Sequence, residues 1–331
     1  MVKTLNGKSV IRLAPLSFLI ALLPLCGCHR AQLGTVDWLQ FDGQRALAHT
    51  EKLVALGPRP SGSEANKLAQ RYIIEQLRVV GLTPREQEWD EKTPHGTVHF
   101  KNIIAEVPGA KTAPVVVLGG HYDTKLLGLS ARAGMPVPHF VGANDGGSSA
   151  GALLEAARVL AKKPPATTVW LVFFDGEEAV ELWSDTDGIY GSRHFVRELQ
   201  ASKEIQKIGA AVVVDMIGDK DLTVTIPPES SPSLVKTVFR ASDAVGVRSR
   251  FSYSSRALTD DHTPFLFAGV AAVDVIDFEY GSQHGANNYW HTTQDTMDKL
   301  SAESLRMAGQ VTLRAVDELV WRLAGGERFK M

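Results

Sequence analysis

The sequence predicts an α/β fold, a three-layer α/β/α sandwich around a central mixed, mostly parallel sheet. Segments with helical spacing of apolar residues alternate with short apolar runs along most of the chain, the order expected when helices cover both faces of a sheet. Several runs, among them "VVVLGG", "WLVFF" and "AAVVV", are continuous rather than alternating. That is the pattern of strands buried on both faces. The charged residues that follow these runs stand just past their ends, where ligands bind in such sheets.

The elements follow in order. "FDGQRALAHTEKLVALG" (41–57) has apolar residues at helical spacing and stops at Gly57-Pro58. "SGSEANKLAQRYIIEQLRVVG" (61–81) opens on a serine-rich cap with a glutamate behind it and ends at Gly81, both signals of helix termini. "TVHFKNIIAEVPG" (97–109) and "APVVVLGGHYD" (113–123) read as strands. The alternation then runs through helix "SSAGALLEAARVLAKK", strand "TTVWLVFFD", helix "YGSRHFVRELQ", strand "IGAAVVVDMIG", helix "SPSLVKTVFRASDAV", strand "VAAVDVIDF" and a closing helix "SAESLRMAGQVTLRAVDELVWRLAG". No internal repeat is present, and no Pro/Gly/Ser-rich linker divides the interior.

The 331 residues are 44% hydrophobic, enough for one sizeable core, and the net charge of −2 is spread without long runs of one sign. A phosphate-backbone partner finds no electrostatic footprint here, so nucleic acid is excluded as the expected ligand. At the N-terminus Lys3, Lys8 and Arg12 precede the apolar run "LAPLSFLIALLPL". That run is short for a membrane span and suits a signal-peptide core. It ends in "LCGC", Leu25–Cys28, which resembles a bacterial lipobox and predicts lipidation at Cys28. The expected organisation is a signal peptide at 1–27, a tether at 28–40 and one domain at 41–331. Both cysteines lie in the leader, so the folded domain is expected to hold together by core packing and metal rather than by a disulfide.

The candidate site residues cluster at strand ends. "VVVLGGHYDTK" brings His121 and Asp123, "FVGANDGGSSAG" brings Asp145, "LVFFDGEE" brings Glu177 and Glu178, "AAVVVDMIGD" brings Asp215, and "NNYWHTTQDT" brings His291. Taken singly, an Asp before Gly-Gly is a turn residue, a His beside a Trp is a packed surface residue, and paired glutamates are a solvated turn. Independent turns would not deliver such groups repeatedly to the same end of successive buried strands. If the strands are parallel, the groups meet on one edge, and imidazole and carboxylate ligands without thiolates suit zinc with positions left open.

Spaced across the mature chain, His-x-Asp, Asp-Gly-Gly, Glu-Glu, Asp and His resemble the zinc aminopeptidase superfamily. More narrowly, "EEAVELWSDTDGIYGSRHF", "HYDTK", "FVGANDG", "TDDHTPFLFAGV" and "NNYWHTTQDT" resemble the glutaminyl cyclases, or glutaminyl-peptide cyclotransferases, of the animal type. The resemblance runs from about Phe41 to the last helix. It implies a zinc-aminopeptidase-like fold and cyclisation of N-terminal glutamine to pyroglutamate with loss of ammonia. It implies one zinc on Asp145, Glu178 and His291, with Glu177 as general base and acid. Asp215 and Asp261 would form a supporting acidic network, and Trp183 and Trp290 would line the pocket. The animal enzymes carry a disulfide near the site that this chain lacks.

Because His121 and Asp215 are also present, a two-zinc aminopeptidase remains an alternative, with those two residues as ligands of the second metal. A domain that only binds its ligand, as in receptors built on this fold, is the third reading. The expected partners are peptides or proteins with N-terminal glutamine, met by a monomer in the bacterial cell envelope. Its domain would be periplasmic or extracellular, and it would touch the membrane only through the lipid at Cys28. The segment "GSQHGANN" (281–288), with His284, receives no role.

Overall fold

The computed structural model describes residues 36–126 and 139–330. The signal segment, Cys28 and the first part of the expected tether lie outside the described residues. Folding begins ahead of the expected boundary at Phe41: Val36 is buried, and its N–H donates to Asp317 in the last helix at 2.8 Å.

Helix α1 (Gly43–Val54) starts at Asp42, whose carboxylate accepts from the N–H of Gln44 at 2.8 Å, and α2 (Glu64–Val79) starts at Ser63, which accepts from Asn66. These caps satisfy helix N–H groups that have no partner within the helix. Strands β1 (Pro84–Thr93) and β2 (Gly96–Val107) form an antiparallel hairpin closed by Pro94-His95. β3 (Val115–His121), α3 (Gly147–Ala161) and β4 (Val169–Phe174) follow, then α4 (Tyr190–Ala201) and β5 (Ile208–Asp215). The chain continues through β6 (Val224–Ile226), α5 (Pro232–Val245), β7 (Phe251–Tyr253), α6 (Thr263–Phe267), β8 (Ala272–Ile276) and α7 (Ala302–Ala324).

The main sheet has the order β1-β2-β4-β3-β5-β8, with β4, β3, β5 and β8 mutually parallel and β2 antiparallel to β4. β6 and β7 make a small parallel pair beside it. Side chains alternate across β3 as the pleat requires. Val116 and Leu118 face the cluster built with α1, α2, α3, α5 and α7, while Val115 and Val117 face Phe195, Leu199 and Phe265 from α4 and α6. The sandwich read from the sequence is therefore the observed fold.

β1 is the strand the sequence did not announce. "PREQEWDEKT" is mostly charged and lies at the sheet edge, where one rim of the strand meets water. Its apolar anchor is Trp89, stacked on Phe100 and His194 at centroid distances of 5.4 and 4.0 Å. Among the described residues no helix is long and apolar enough to cross a membrane.

Candidate functional site

The parallel strands carry the chemistry-bearing residues to one edge. His121 ends β3, Asp215 ends β5, and Glu177 and Glu178 follow β4 through the turn Asp175-Gly176. Asp145 precedes α3 in a turn that needs glycine. Gly146 has φ +76°, and a Cβ there would sit 2.4 Å from the carbonyl of Asp123 and 3.0 Å from the His121 ring. His291 itself has φ +53° and Met216, next to Asp215, has φ +49°. Such backbone strain in non-glycine residues persists only where the surroundings impose it.

Asp145, Glu178 and His291 converge, with candidate ligand atoms within 4.8 Å of one another. His291 Nε2 lies 3.4 Å from Asp145 Oδ2 and 3.2 Å from Glu178 Oε2. Asp145 Oδ2 and both Glu178 oxygens are buried without a hydrogen-bond partner. Buried carboxylate oxygens left unpaired are costly, and a cation held by these three residues would satisfy them. The donor set, one imidazole and two carboxylates with no thiolate, fits zinc in an open site.

His121, Asp145 and Asp215 form a second group of the same kind, sharing Asp145 with the first. In it His121 Nε2 lies 3.1 Å from Asp215 and 3.3 Å from Asp145, while Nδ1 pairs with Asp123 at 3.3 Å. Asp123 also accepts the backbone N–H groups of Glu177 and Glu178 at 3.2 and 3.4 Å, fixing the turn that presents them.

The two glutamates differ in charge state. Burial pushes Glu177 well above the ordinary carboxylate range, and Asp260, Glu178 and Asp261 add to this against the opposing pull of His121. Burial also raises Glu178, but His291, Lys125 and His121 together outweigh it and bring its carboxyl down to about 2. Asp145 is pushed up to about 7 by burial and by Glu178. The two carboxyls are therefore pushed in opposite directions, Glu178 towards the anion beside the imidazole and Glu177 towards a higher proton affinity.

A chamber of about 480 Å³ opens above these groups. Trp290 walls one side, stacked on His291 at 3.9 Å and edge-on to Phe278 at 5.1 Å. Leu182 and Trp183 form an exposed rim. The loop that holds them up is organised by Asp187, whose carboxylate accepts the N–H groups of Val180, Glu181 and Leu182 at 2.7–3.0 Å and the Tyr190 hydroxyl at 2.9 Å. That contact is a physical reason for the Asp and Tyr within "EEAVELWSDTDGIYGSRH".

Of the residues expected at the site, Asp145, Glu177, Glu178, Trp183, Asp215, Trp290 and His291 line the chamber, His121 and Asp123 lie against Asp145, Asp215 and the glutamate turn, and Asp261 does not reach it. Asp261 is fully buried behind the wall, and its neighbour Asp260 lines the chamber instead, with its carboxyl pushed to about 7 by burial and by Asp215. His284 is exposed and sits 3.3 Å from Glu279, outside the chamber.

Sequence reasoning passed over four residues. Lys125 Nζ lies 3.6 Å from Glu178 Oε2. Asp295 accepts the N–H groups of Asn144 and Asp145 at 2.8 and 3.1 Å, tying the His291 loop to the Asp145 loop. Arg59 is fully buried and donates to the carbonyls of Tyr122, Val141 and Gly142 at 2.8, 2.6 and 2.8 Å. Asp274, on β8, is buried with no hydrogen-bond partner and is driven far up by burial and by Asp260. Of these, the lysine of "HYDTK" and the aspartate of "TTQDT" stood inside stretches already singled out, and Asp274 interrupts the apolar strand "VAAVDVIDF"; Arg59 gave no local signal.

The chain is similar to known proteins over most of its length. Residues 102–316 match peptidase family M28. A glutaminyl-peptide cyclotransferase of Drosophila melanogaster is 27% identical, over 92% of this chain and 89% of its own length. The crystal structure of an Acidobacteriales bacterium glutaminyl cyclase superposes with a TM-score of 0.79 at 35% identity, covering 88% of this chain and 98% of that one. A Zn-dependent exopeptidase from Parabacteroides distasonis superposes with a TM-score of 0.73 at 26% identity, covering 83% and 97%.

Proposed function

The chain belongs to peptidase family M28 and, within it, to the glutaminyl cyclases, and from that premise we propose how its chamber converts N-terminal glutamine of peptides to pyroglutamate with release of ammonia. The observation that carries the reading is the pair Glu177-Glu178 at one sheet edge: Glu178 stands 3.2 Å from His291 and 3.6 Å from Lys125, while its neighbour Glu177 lines the same chamber.

Asp145, Glu178 and His291 are the residues that would hold a single zinc. When bound, zinc supplies Lewis-acid polarisation of the glutamine γ-carbonyl. Glu177 takes the proton from the α-amine as that nitrogen bonds to the γ-carbon, and returns it to the departing amide nitrogen, which leaves as ammonia. A carboxyl held above its ordinary range is suited to both transfers. Asp215, Asp260 and the more deeply buried Asp261 form an acidic network behind Glu177. Because nucleophile and electrophile belong to one residue, the chamber's main task is to hold the folded-back conformer away from water. Trp183 and Trp290 supply the apolar walls for that task.

A second reading, hydrolysis by a two-zinc aminopeptidase, draws on the His121, Asp145, Asp215 group. Mass spectrometry of a Gln-Xaa and a Leu-Xaa peptide incubated with the zinc-loaded, leaderless domain separates the two. We expect the glutamine peptide to lose ammonia, the leucine peptide to stay intact, and prior zinc chelation to stop turnover. Release of free leucine would establish the aminopeptidase instead.

The leader extends the proposal to the cell. A lipidated Cys28 would tether a monomeric enzyme to the bacterial cell envelope, its domain periplasmic or extracellular, acting on exported peptides or proteins. Cys28→Ser is expected to move the protein from the membrane fraction to the soluble fraction; unchanged fractionation would remove the anchor from the proposal.

A further inference from the structure

The chamber holds the glutamine to be cyclised, and a peptide substrate must continue beyond it. A second cavity of about 560 Å³ adjoins the first, sharing Phe278 and Trp290 as a common wall. A single stretch of chain joins the two. Leu258 and Asp260 line the chamber, while Ser254 and Arg256 line the groove. The opposite bank comes from the 281–288 segment, through Gly285 and Asn287, which the chemistry above leaves without a part.

The charges in this groove are unequal in availability. Glu279 is turned toward its own loop, accepting the Gly285 N–H at 3.1 Å and lying 3.3 Å from His284 Nδ1. Arg256 is exposed, and among the described residues its guanidinium makes no hydrogen bond or ion pair. A guanidinium free of internal partners at the end of a groove is an anchor for a carboxylate.

Resting on the cyclisation reading, we infer that this groove seats the peptide residues that follow glutamine, and that Arg256 selects substrates bearing a carboxylate there. The reach follows from chain geometry. Arg256 precedes Asp260 by four residues, so the two lie at most ~14 Å apart along the chain, and an extended peptide covers that in about four residues. The recognised carboxylate therefore belongs to an acidic side chain within the first five residues, or to the C-terminus of a substrate that short.

The test uses pentapeptide amides beginning with Gln, in which Glu, Ala or Lys is stepped through positions two to five, together with Gln-Ala-Ala-Ala as free acid and as amide. With the wild-type enzyme at low salt, kcat/KM for the best-placed Glu peptide is expected to exceed that of its Lys counterpart about fivefold, mostly through KM, in keeping with an exposed charge pair. Arg256→Ala should bring the ratio near one, and Arg256→Glu should invert it. If the free-acid tetrapeptide outpaces its amide, a terminal carboxylate serves as the anchor; if they are equal, the side chain does.

A wild-type Glu/Lys ratio near one, or a ratio that both Arg256 variants leave unchanged, overturns the inference. Glutaminamide, which ends short of the groove, tests the chemistry alone. If wild-type enzyme leaves it and every peptide uncyclised, the cyclisation reading falls, and the inference with it.

Discussion

Glu177→Gln is expected to lower kcat for glutamine cyclisation by about 10²–10⁴-fold, the usual worth of a positioned proton carrier. The substitution is nearly isosteric, and the backbone N–H of Glu177 keeps its bond to Asp123, so KM and bound zinc should change little. Glu178→Gln should do the reverse. It removes one of the three groups that would hold the metal, so zinc content falls and activity follows it. Ammonia release and metal analysis on both variants separate the roles. Should Glu177→Gln keep activity within tenfold of wild type, the proton carrier lies elsewhere, and Asp260, a chamber carboxyl pushed up by burial and outside the group that would hold the metal, becomes the first place to look.

Arg59→Met is expected to destabilise the metal-free domain by about 3–5 kcal/mol, the scale for removing one partner from a buried charged network. Burial lowers the Arg59 pKa to about 10, with Asp295, Asp123 and Asp145 opposing the shift, so the guanidinium remains charged at neutral pH. Methionine fills similar volume but leaves the carbonyls of Tyr122, Val141 and Gly142 without their donor, and each orphaned carbonyl carries a desolvation cost. Gly142 opens the turn that ends in Asp145, so zinc affinity should fall as well, by about 10–100-fold as when outer supports of a ligand are removed. Lysine offers no planar fork and should rescue neither property. Denaturant unfolding of both variants decides the matter: a loss under about 1 kcal/mol, or full rescue by lysine, would show that the carbonyls find other donors.

What the sequence determined by itself was the architecture and most of the inner site. Unbroken apolar runs announce strands covered on both faces, and β3, β4 and β5 were legible for that reason, while β8 was legible despite the Asp274 that interrupts its run. Once those strands run parallel, the residues past their ends must meet, so His121, Asp145, Glu177, Glu178 and Asp215 could be placed together before any coordinate was known. β1 was not legible, because a charged edge strand owes its shape to its partner in the hairpin rather than to its own pattern.

The tertiary structure alone decided three things. It brought Asp260 rather than Asp261 to the chamber wall, a choice made by the turn that enters α6 and invisible in two identical adjacent residues. It buried Arg59 beneath the Asp145 turn, against the strong tendency of arginine to remain at the surface. It also set the two glutamates apart. Side by side in the chain they are chemically alike; burial raises both, the packing of His291 and Lys125 against one pulls it below the ordinary carboxylate range, and Asp260 and Asp261 near the other push it further up. Local pattern reports which groups arrive at an edge; the field each group feels is a sum over neighbours distant in sequence, and folding is what assembles that sum.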